Sequence, residues 1–301
     1  MSVTGRFAPS PTGPLHLGNL RTAMAAWLWA RAEGGRFLVR MEDLDRHTAS
    51  AEHERRQMQD LAAGGVDHDG EVVRQSDRFD LHRAAIDRLT AQGLTYPCYC
   101  TRREIANAAS APHGNAPEGA YPGTCRELTE AERGRRAQER PAALRLRADE
   151  VEVSFVDRIA GPTSGIVDDV VLRRNDGVSS YNLAVVVDDA DQGVTQVLRA
   201  DDLLSSTPRH IHLQRLLGLP TPEYAHVPLV VNERGDRLAK RDGAVTLDEL
   251  AAAGLPPEAV TARLLRTLGV DADTLAEAVA AFDLAAIPPA PLVYRPTDWA
   301  A

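Results

Sequence analysis

Residues 3–19 read Val3-Thr-Gly-Arg6-Phe-Ala-Pro-Ser-Pro-Thr-Gly-Pro-Leu-His16-Leu-Gly18-Asn19. Residues 3–8 are short and apolar-rich, which predicts a strand, and the prolines and glycines after them predict a rigid loop. From residue 18 to about 32 the apolar side chains are spaced for one buried face of a helix. Such a loop is suited to bind a phosphate, because backbone N–H groups and the helix dipole favour an anion there.

Strand and helix patterns continue to alternate along the chain. Residues 36–42 predict a strand with Phe37, Val39 and Met41 on one side, and helices are predicted at about 50–63 and 77–92. After residue 180 we expect strands at 195–199 and 226–231, with a helix between them that Thr207-Pro208 caps. This order predicts an α/β fold with a parallel sheet and covering helices.

The pattern changes between residues 96 and about 180. Short alternating runs at 143–147, 151–156 and 167–173 follow a loop-like segment, which indicates an inserted α+β subdomain. We therefore divide the chain into four parts. They are the first half of the α/β domain (1–95), the insertion (96–180), the second half of that domain (181–245) and a helical region (246–301).

Composition places the chain among folded globular proteins. It has 301 residues, of which 44% are hydrophobic and 26% charged. No stretch approaches the ~18 apolar residues of a membrane helix, and the first residues lack a secretory pattern. Three cysteines do not make a disulfide scaffold. We expect a cytoplasmic protein with no membrane partner, and a monomer.

The charge balance limits how an RNA partner can bind. The net charge is −9, so RNA requires a local basic patch. Of the 34 basic residues, 33 are arginine and only Lys240 is lysine. A compact ammonium group is suited to bind a phosphate, which is one explanation for the single lysine. A composition biased toward arginine explains the single lysine equally well.

Three segments carry residues suited to nucleotide chemistry. His16 can donate to a phosphate, and Gly18 would let a flat ring or ribose approach the backbone. Glu42, in the segment Met41-Glu-Asp-Leu-Asp45, can hold an ammonium group at the end of a strand. The third segment is Arg237-Leu238-Ala239-Lys240-Arg241, which suits a polyphosphate. Taken singly, each segment also fits a surface loop or a solvated charge run.

Together the three segments resemble the glutamyl branch of the class I aminoacyl-tRNA synthetases. Pro9 to Asn19 is similar to that branch's HIGH motif, and residues 237–241 stand where KMSKS does, with Ala239 replacing the usual serine. The resemblance implies a Rossmann-like fold and catalytic roles for His16 and Lys240. It implies ATP-binding residues His16, Gly18, Asn19 and Lys240. For glutamate it implies Arg6, Phe7, Ala8, Pro9, Ser10, Glu42, Tyr181 and Arg199.

All three cysteines lie in the predicted insertion. Cys98, Cys100 and Cys125 leave one position of a tetrahedral zinc site open for a phenolate or an imidazole. From chemistry alone His113 is the commoner type of fourth ligand, whereas the resemblance to glutamyl-Q enzymes implies Tyr121. We expect one structural Zn²⁺, with three unrelated thiols as the alternative.

Only 60 residues follow Arg241, so we expect no anticodon-binding domain. The resemblance to the glutamyl-Q enzymes then implies ATP- and Mg²⁺-dependent, tRNA-independent activation of L-glutamate. Glutamate would pass to queuosine at the wobble position of tRNA(Asp). The alternatives are a shortened glutamyl-tRNA synthetase that charges the tRNA 3′ end, a nucleotidyltransferase without an RNA substrate, and a non-catalytic RNA-binding paralogue.

Overall fold

A computed structural model describes residues 2–101, 103–105, 121–238 and 245–299. The strands are β1 (Thr4–Phe7), β2 (Arg36–Met41), β3 (Val73–Arg74), β4 (Thr95–Cys98), β5 (Ala143–Leu146), β6 (Glu152–Asp157), β7 (Gly161–Ile166), β8 (Val171–Arg173), β9 (Gln196–Ala200), β10 (Glu223–Val227), β11 (Val230–Val231) and β12 (Leu292–Val293). The helices are α1 (Leu17–Ala32), α2 (Ala51–Ala63), α3 (Phe79–Ala91), α4 (Glu130–Glu139), α5 (Tyr181–Asp191), α6 (Thr207–Leu216), α7 (Leu247–Ala252), α8 (Pro257–Thr267) and α9 (Leu275–Ala278).

The predicted parallel sheet is confirmed. Five strands pair in the order β10-β9-β1-β2-β3, and every pair is parallel. The strand order reverses between β1 and β9, because β2 and β3 extend the sheet on one side and β10 on the other. A crevice at such a reversal is where open α/β sheets bind ligands, at the carboxyl ends of the strands.

Strand β2 and helix α1 are more deeply buried than their sequence patterns predict. We expected one buried side for each. In β2, however, every residue from Phe37 to Met41 is buried, and α1 buries residues around its whole circumference. The reason is that α1 packs between the sheet and the C-terminal helices α7 and α8, which share its core. Gly5 permits the close approach, since a Cβ there would lie 2.9 Å from Cβ of Ala30.

The segment between the two halves of the sheet forms its own small sheets. Strands β4, β5 and β8 pair antiparallel, and β6 and β7 form a hairpin. The sequence did not predict β7, because its residues Gly-Pro-Thr-Ser-Gly-Ile have turn-like composition and become a strand only by pairing with β6. The predicted strand 226–231 is two strands, with a break at Pro228 after β10. The domain division at residues 95, 180 and 245 stays a prediction.

No helix in the described parts of the chain is long and apolar enough to span a bilayer.

Candidate active site

A cleft of about 650 Å³ opens at the carboxyl ends of β1, β2 and β9. The predicted site residues that line it are Arg6, Phe7, Ala8, Pro9, Ser10, His16, Asn19, Glu42, Tyr181, Arg199, Arg237 and Leu238. Gly18 is not among the lining residues. Ala239, Lys240 and Arg241 lie outside the described residues. The guanidinium of Arg237 pairs with Asp202 at 2.5 Å, at the edge of the cleft.

His16 is the N-cap of α1, and this fixes its ring. Its Nδ1 accepts from the backbone N–H groups of Gly18 (3.1 Å) and Asn19 (3.3 Å), while the Asn19 side chain accepts from the His16 backbone N–H. Because Nδ1 uses its lone pair as the cap, the hydrogen of the neutral imidazole is on Nε2. The ring therefore presents a donor beside the positive end of the α1 dipole, which favours an anion.

Gly18 makes room for that imidazole. A Cβ at residue 18 would lie 3.1 Å from both Cε1 and Nδ1 of His16. That a ring or ribose approaches the backbone here stays a prediction. The glycine also allows the His16 cap.

Helix α2 holds the loop between β1 and α1. The side-chain amide of Gln57 donates to the carbonyl oxygens of Ser10 (3.0 Å) and Gly13 (2.7 Å), and Asp60 accepts from the backbone N–H of Leu15 at 3.1 Å. Burial raises the pKa of Asp60, although the Leu15 N–H and Arg56 counteract it. These buried side chains keep the proline-rich loop in one conformation.

A buried charge cluster lies beneath the cleft. Arg6 and Arg40 both bond to Oδ1 of Asp189, at 3.4 and 2.7 Å, and Arg40 also reaches Glu42 at 3.4 Å. Burial raises the pKa of Glu42, and Arg40 and Arg6 oppose that shift. Gln192 gives Arg40 a further acceptor at 2.8 Å. The cluster holds the Glu42 carboxylate at the cleft, whose other charged lining residues include Arg6, Arg199, Arg237 and Asp202.

Arg199 is bonded differently from Arg6 and Arg40. Its five N–H groups donate to His226 Nε2 (3.0 Å), Tyr181 Oη (3.1 Å), His210 Nδ1 (3.2 Å), Leu203 O (3.1 Å) and Thr207 Oγ1 (2.8 Å). All five acceptors belong to described residues, and none of them is a carboxylate. Thr207 lies inside α6 and bonds to Arg199, so our prediction that it caps the helix is wrong; the N-cap position is Ser206.

The predicted zinc ligands lie together. The three cysteine sulfurs are within 4.8 Å of one another, and the Tyr121 hydroxyl is 3.3 Å from Cys98 Sγ and 3.7 Å from Cys100 Sγ. In a tetrahedral zinc site, Zn–S bonds of about 2.3 Å place sulfurs about 3.8 Å apart. Three thiolates and a phenolate therefore fit one Zn²⁺. His113 lies outside the described residues.

Neighbouring groups orient these ligands. The Arg136 guanidinium donates to Cys125 Sγ at 3.6 Å, and the backbone N–H of Tyr99 does so at 3.5 Å. The Arg145 guanidinium stacks 3.7 Å from the centre of the Tyr121 ring. Positive charge at both positions favours ionised ligands, as in the outer shells of metal sites.

Several residues of the cleft's framework escaped the sequence analysis. They are Arg40, Gln57, Asp189, His210 and His226. Polar residues inside apolar strands offered a signal, since Arg40 interrupts Phe-Leu-Val-Arg-Met and His226 interrupts Tyr-Ala-His-Val. Buried polar groups at such positions require partners, which points to a site.

Fold, cleft and motifs define a class I synthetase catalytic domain. The family of class I tRNA synthetases (E and Q), catalytic domain, matches residues 2–287, and the chain belongs to this family. The resemblance drawn from the three segments is thus confirmed. Membership implies ATP as a substrate, with Mg²⁺.

Among its relatives is the Glutamyl-Q tRNA(Asp) synthetase of Nocardia farcinica, 61% identical over 96% of this chain and 92% of that protein. The protein of the same name from Symbiobacterium thermophilum is 48% identical over 96% of this chain and 95% of its own length. A crystal structure of glutamate-tRNA synthetase from Elizabethkingia anophelis matches with a TM-score of 0.84 at 27% identity. The match covers 99% of this chain and 69% of the chain in that crystal structure.

Proposed function

We propose that this protein activates L-glutamate with ATP in the absence of tRNA and transfers the glutamyl group to queuosine of tRNA(Asp). The observation that carries the proposal is the cleft, which combines the N-terminal end of α1 with two arginines and the largely buried Glu42. The chain is 61% identical to the Glutamyl-Q tRNA(Asp) synthetase of Nocardia farcinica. Neither a nucleotidyltransferase nor a non-catalytic paralogue needs this set of charges.

The charges of the cleft match those of glutamate. The amino acid carries two carboxylates and one ammonium group, so its site needs cations and one acid. Arg6 and Arg199 supply the positive charges, and Glu42 supplies the carboxylate for the ammonium group. The backbone of residues 7–10 and the Tyr181 hydroxyl complete the polar contacts.

Activation requires positioning and charge stabilisation. An oxygen of the substrate α-carboxylate attacks the α-phosphorus of ATP, and the bond to pyrophosphate breaks. The Nε2–H of His16 and the N-terminus of α1, near Asn19, stabilise charge on the phosphate oxygens. Lys240 would neutralise the departing pyrophosphate, and Mg²⁺ would bind the phosphates. A hydroxyl oxygen of the queuosine cyclopentenediol then attacks the acyl carbon, the bond from that carbon to the phosphate oxygen breaks, and AMP and the hydroxyl proton leave.

The RNA contact surface is proposed to include α4. No residue of this helix is buried, and Arg133, Arg135 and Arg136 lie on it, with Arg140 directly after it. Four arginines against three glutamates (Glu130, Glu132 and Glu139) give this segment a small excess of positive charge on a chain of net charge −9. Phosphate binding requires local positive charge of this kind. We propose one structural Zn²⁺ at Cys98, Cys100, Tyr121 and Cys125, and a monomeric enzyme.

The decisive measurement is glutamate-dependent ATP–pyrophosphate exchange with and without tRNA. We expect exchange without RNA, followed by transfer of labelled glutamate to queuosine-containing tRNA(Asp) and not to tRNA lacking queuosine. Exchange that requires tRNA(Glu) would identify a shortened ordinary synthetase. No exchange in either condition would favour the non-catalytic paralogue.

The RNA patch is tested by Arg135→Glu. Transfer to tRNA should weaken by at least about tenfold, because a phosphate contact becomes a repulsion, while glutamate-dependent exchange is retained. The control is Arg83→Glu, an exposed arginine of α3 paired with Asp80, which should leave both activities intact. Equal transfer by the two variants would remove α4 from the RNA surface.

A further inference from the structure

The hydrogen bonds around Arg199 determine which charge state of a ligand the cleft can accept. Arg199 is buried, with 5% of its surface exposed, and Tyr181 beside it lines the same cleft. Buried arginines are usually paired with a carboxylate, as Arg40 is with Asp189. Arg199 has imidazole, hydroxyl and carbonyl acceptors instead. Its formal charge therefore has no direct counter-ion among the described residues.

The imidazole of His226 is held by a carboxylate on the side of the ring that faces away from Arg199. His226 Nδ1 lies 2.6 Å from Asp157 Oδ2, and Asp157 Oδ1 also accepts from the backbone N–H groups of Ile159 and Ala160. Burial opposes ionisation of Asp157, but these bonds hold its pKa below the usual value. Nδ1 of His226 is thus the donor, and Nε2 must accept from Arg199.

The second imidazole is fixed by an amide. His210 Nε2 lies 3.0 Å from Asn182 Oδ1, so Nε2 carries the hydrogen and Nδ1 accepts from Arg199. Burial and the charge of Arg199 hold the pKa of His210 well below its usual value. Burial likewise lowers the pKa of His226, although Asp157 opposes the shift. Both rings are neutral acceptors at neutral pH.

We propose that His210 and the Asp157–His226 pair are positioning residues that select a substrate with a negatively charged side chain over its uncharged amide. They immobilise the Arg199 guanidinium without neutralising it, so its charge remains for the ligand. Tyr181 accepts from Arg199, which leaves its O–H to donate to the ligand. This inference rests on the proposed function, since the charged ligand is L-glutamate and the rejected one is L-glutamine.

The test compares L-glutamate and L-glutamine, which have nearly the same shape and differ in side-chain charge. Binding is measured by calorimetry and activation by pyrophosphate exchange. In His210→Glu a carboxylate replaces a neutral acceptor, so glutamate affinity should fall by at least about tenfold with little change for glutamine. His210→Gln, a neutral acceptor, should retain most of the preference for glutamate.

Two further variants keep the test decisive. His212→Glu adds the same charge to α6 two residues away and should keep the wild-type preference. If His210→Glu does not fold, Thr207→Asp places a carboxylate directly against the Arg199 guanidinium in place of a neutral hydroxyl acceptor, and the preference should fall in the same direction. Loss of preference in His210→Gln equal to that in His210→Glu would overturn the inference.

The wild-type protein separates this inference from the proposed function. Preferential binding of glutamate without exchange would contradict the proposed function and leave the selection by Arg199 standing. Equal binding of the two amino acids, or binding of neither, would overturn the inference whatever the exchange activity.

Discussion

His16 has two linked roles, one at each nitrogen of its ring. Its Nδ1 caps α1, and the cap places the hydrogen on Nε2 and orients the ring toward the cleft. A change that disturbs the cap therefore affects both helix stability and the donor that the cleft presents. Both roles depend on Gly18, because the absence of a Cβ at this residue leaves space for the His16 ring.

Gly18→Ala tests the role of that space. The new Cβ would press on the His16 ring, so we expect exchange activity to fall by about tenfold while the protein stays folded. Gly134→Ala is the matched control. It adds a methyl group to the exposed helix α4, where nothing lies within 4 Å, and should leave exchange unchanged. Equal activity of the two variants would contradict the assigned role of Gly18.

Asp189 is the shared counter-ion of two buried arginines. Asp189→Asn removes the carboxylate that Arg6 and Arg40 share and, of the charged partners described, leaves Arg40 only its 3.4 Å contact with Glu42. We therefore expect the free energy of unfolding to fall by about 3–5 kcal/mol. Asp191→Asn makes the same chemical change at an exposed pair with Arg78 and should cost less than about 1 kcal/mol. Urea denaturation of both variants measures the difference. Similar losses would show that Asp189 is not the main counter-ion.

Helix α2 stabilises the loop between β1 and α1, which lines the cleft. Gln57→Leu keeps the side chain's approximate volume but removes the donors to the carbonyls of Ser10 and Gly13. We expect KM for ATP in the exchange reaction to rise by about tenfold, because the loop loses its fixed conformation. Gln59→Leu, exposed on the same helix, is the control and should keep the wild-type KM. An unchanged KM in Gln57→Leu would show that α2 does not hold the loop.

The sequence predicted the positions of helices and strands better than it predicted their burial and pairing. The strand β1, the helix α1 and the parallel order follow from local patterns and turn residues, and the structure has them within a few residues. The burial of α1 on all sides was not predictable, since it depends on α7 and α8 more than 200 residues later. Pairing likewise makes β7 a strand, and residues 161–166 carry no pattern of their own.

The candidate site also contains residues that the sequence predicted and residues that only the structure shows. The predicted cleft-lining residues came from the three motif segments or, for Tyr181 and Arg199, from the family resemblance. Gln57, Asp189 and His226 came only from the structure, because their partners are distant in sequence. The grouping of Cys98 and Cys100 with Cys125 followed from metal chemistry. Their roles stay predictions until activity and metal content are measured.

The described residues form three separate hydrophobic cores, and one of the three is small. The buried residues of the cysteine-containing core are Tyr96, Cys98, Tyr99, Tyr121 and Cys125. Five buried side chains provide little apolar area, and small cores of this kind usually require a metal or a cross-link. Metal binding would therefore determine the stability of this region independently of the main sheet.

We expect one Zn²⁺ per chain by elemental analysis, and protection of this region from proteolysis that is lost on chelation. Tyr121→Phe should weaken zinc binding in a chelator competition by at least about tenfold, since a ligand is lost. Tyr99→Phe removes a hydroxyl from the same core and should bind zinc as the wild type does. A larger effect of His113→Ala than of Tyr121→Phe would transfer the fourth position to the histidine.

The path of the chain through the β6–β7 hairpin limits how relatives of this protein can exchange parts. Asp157 belongs to the segment inserted between the two halves of the sheet, yet its carboxylate is buried against His226 of β10. A shortened insertion without this aspartate would leave a buried N–H donor unpaired, at a cost of about 1–3 kcal/mol. The insertion is therefore not energetically independent of the sheet: recombination between homologous chains keeps this stabilisation only where the aspartate and the histidine are inherited together.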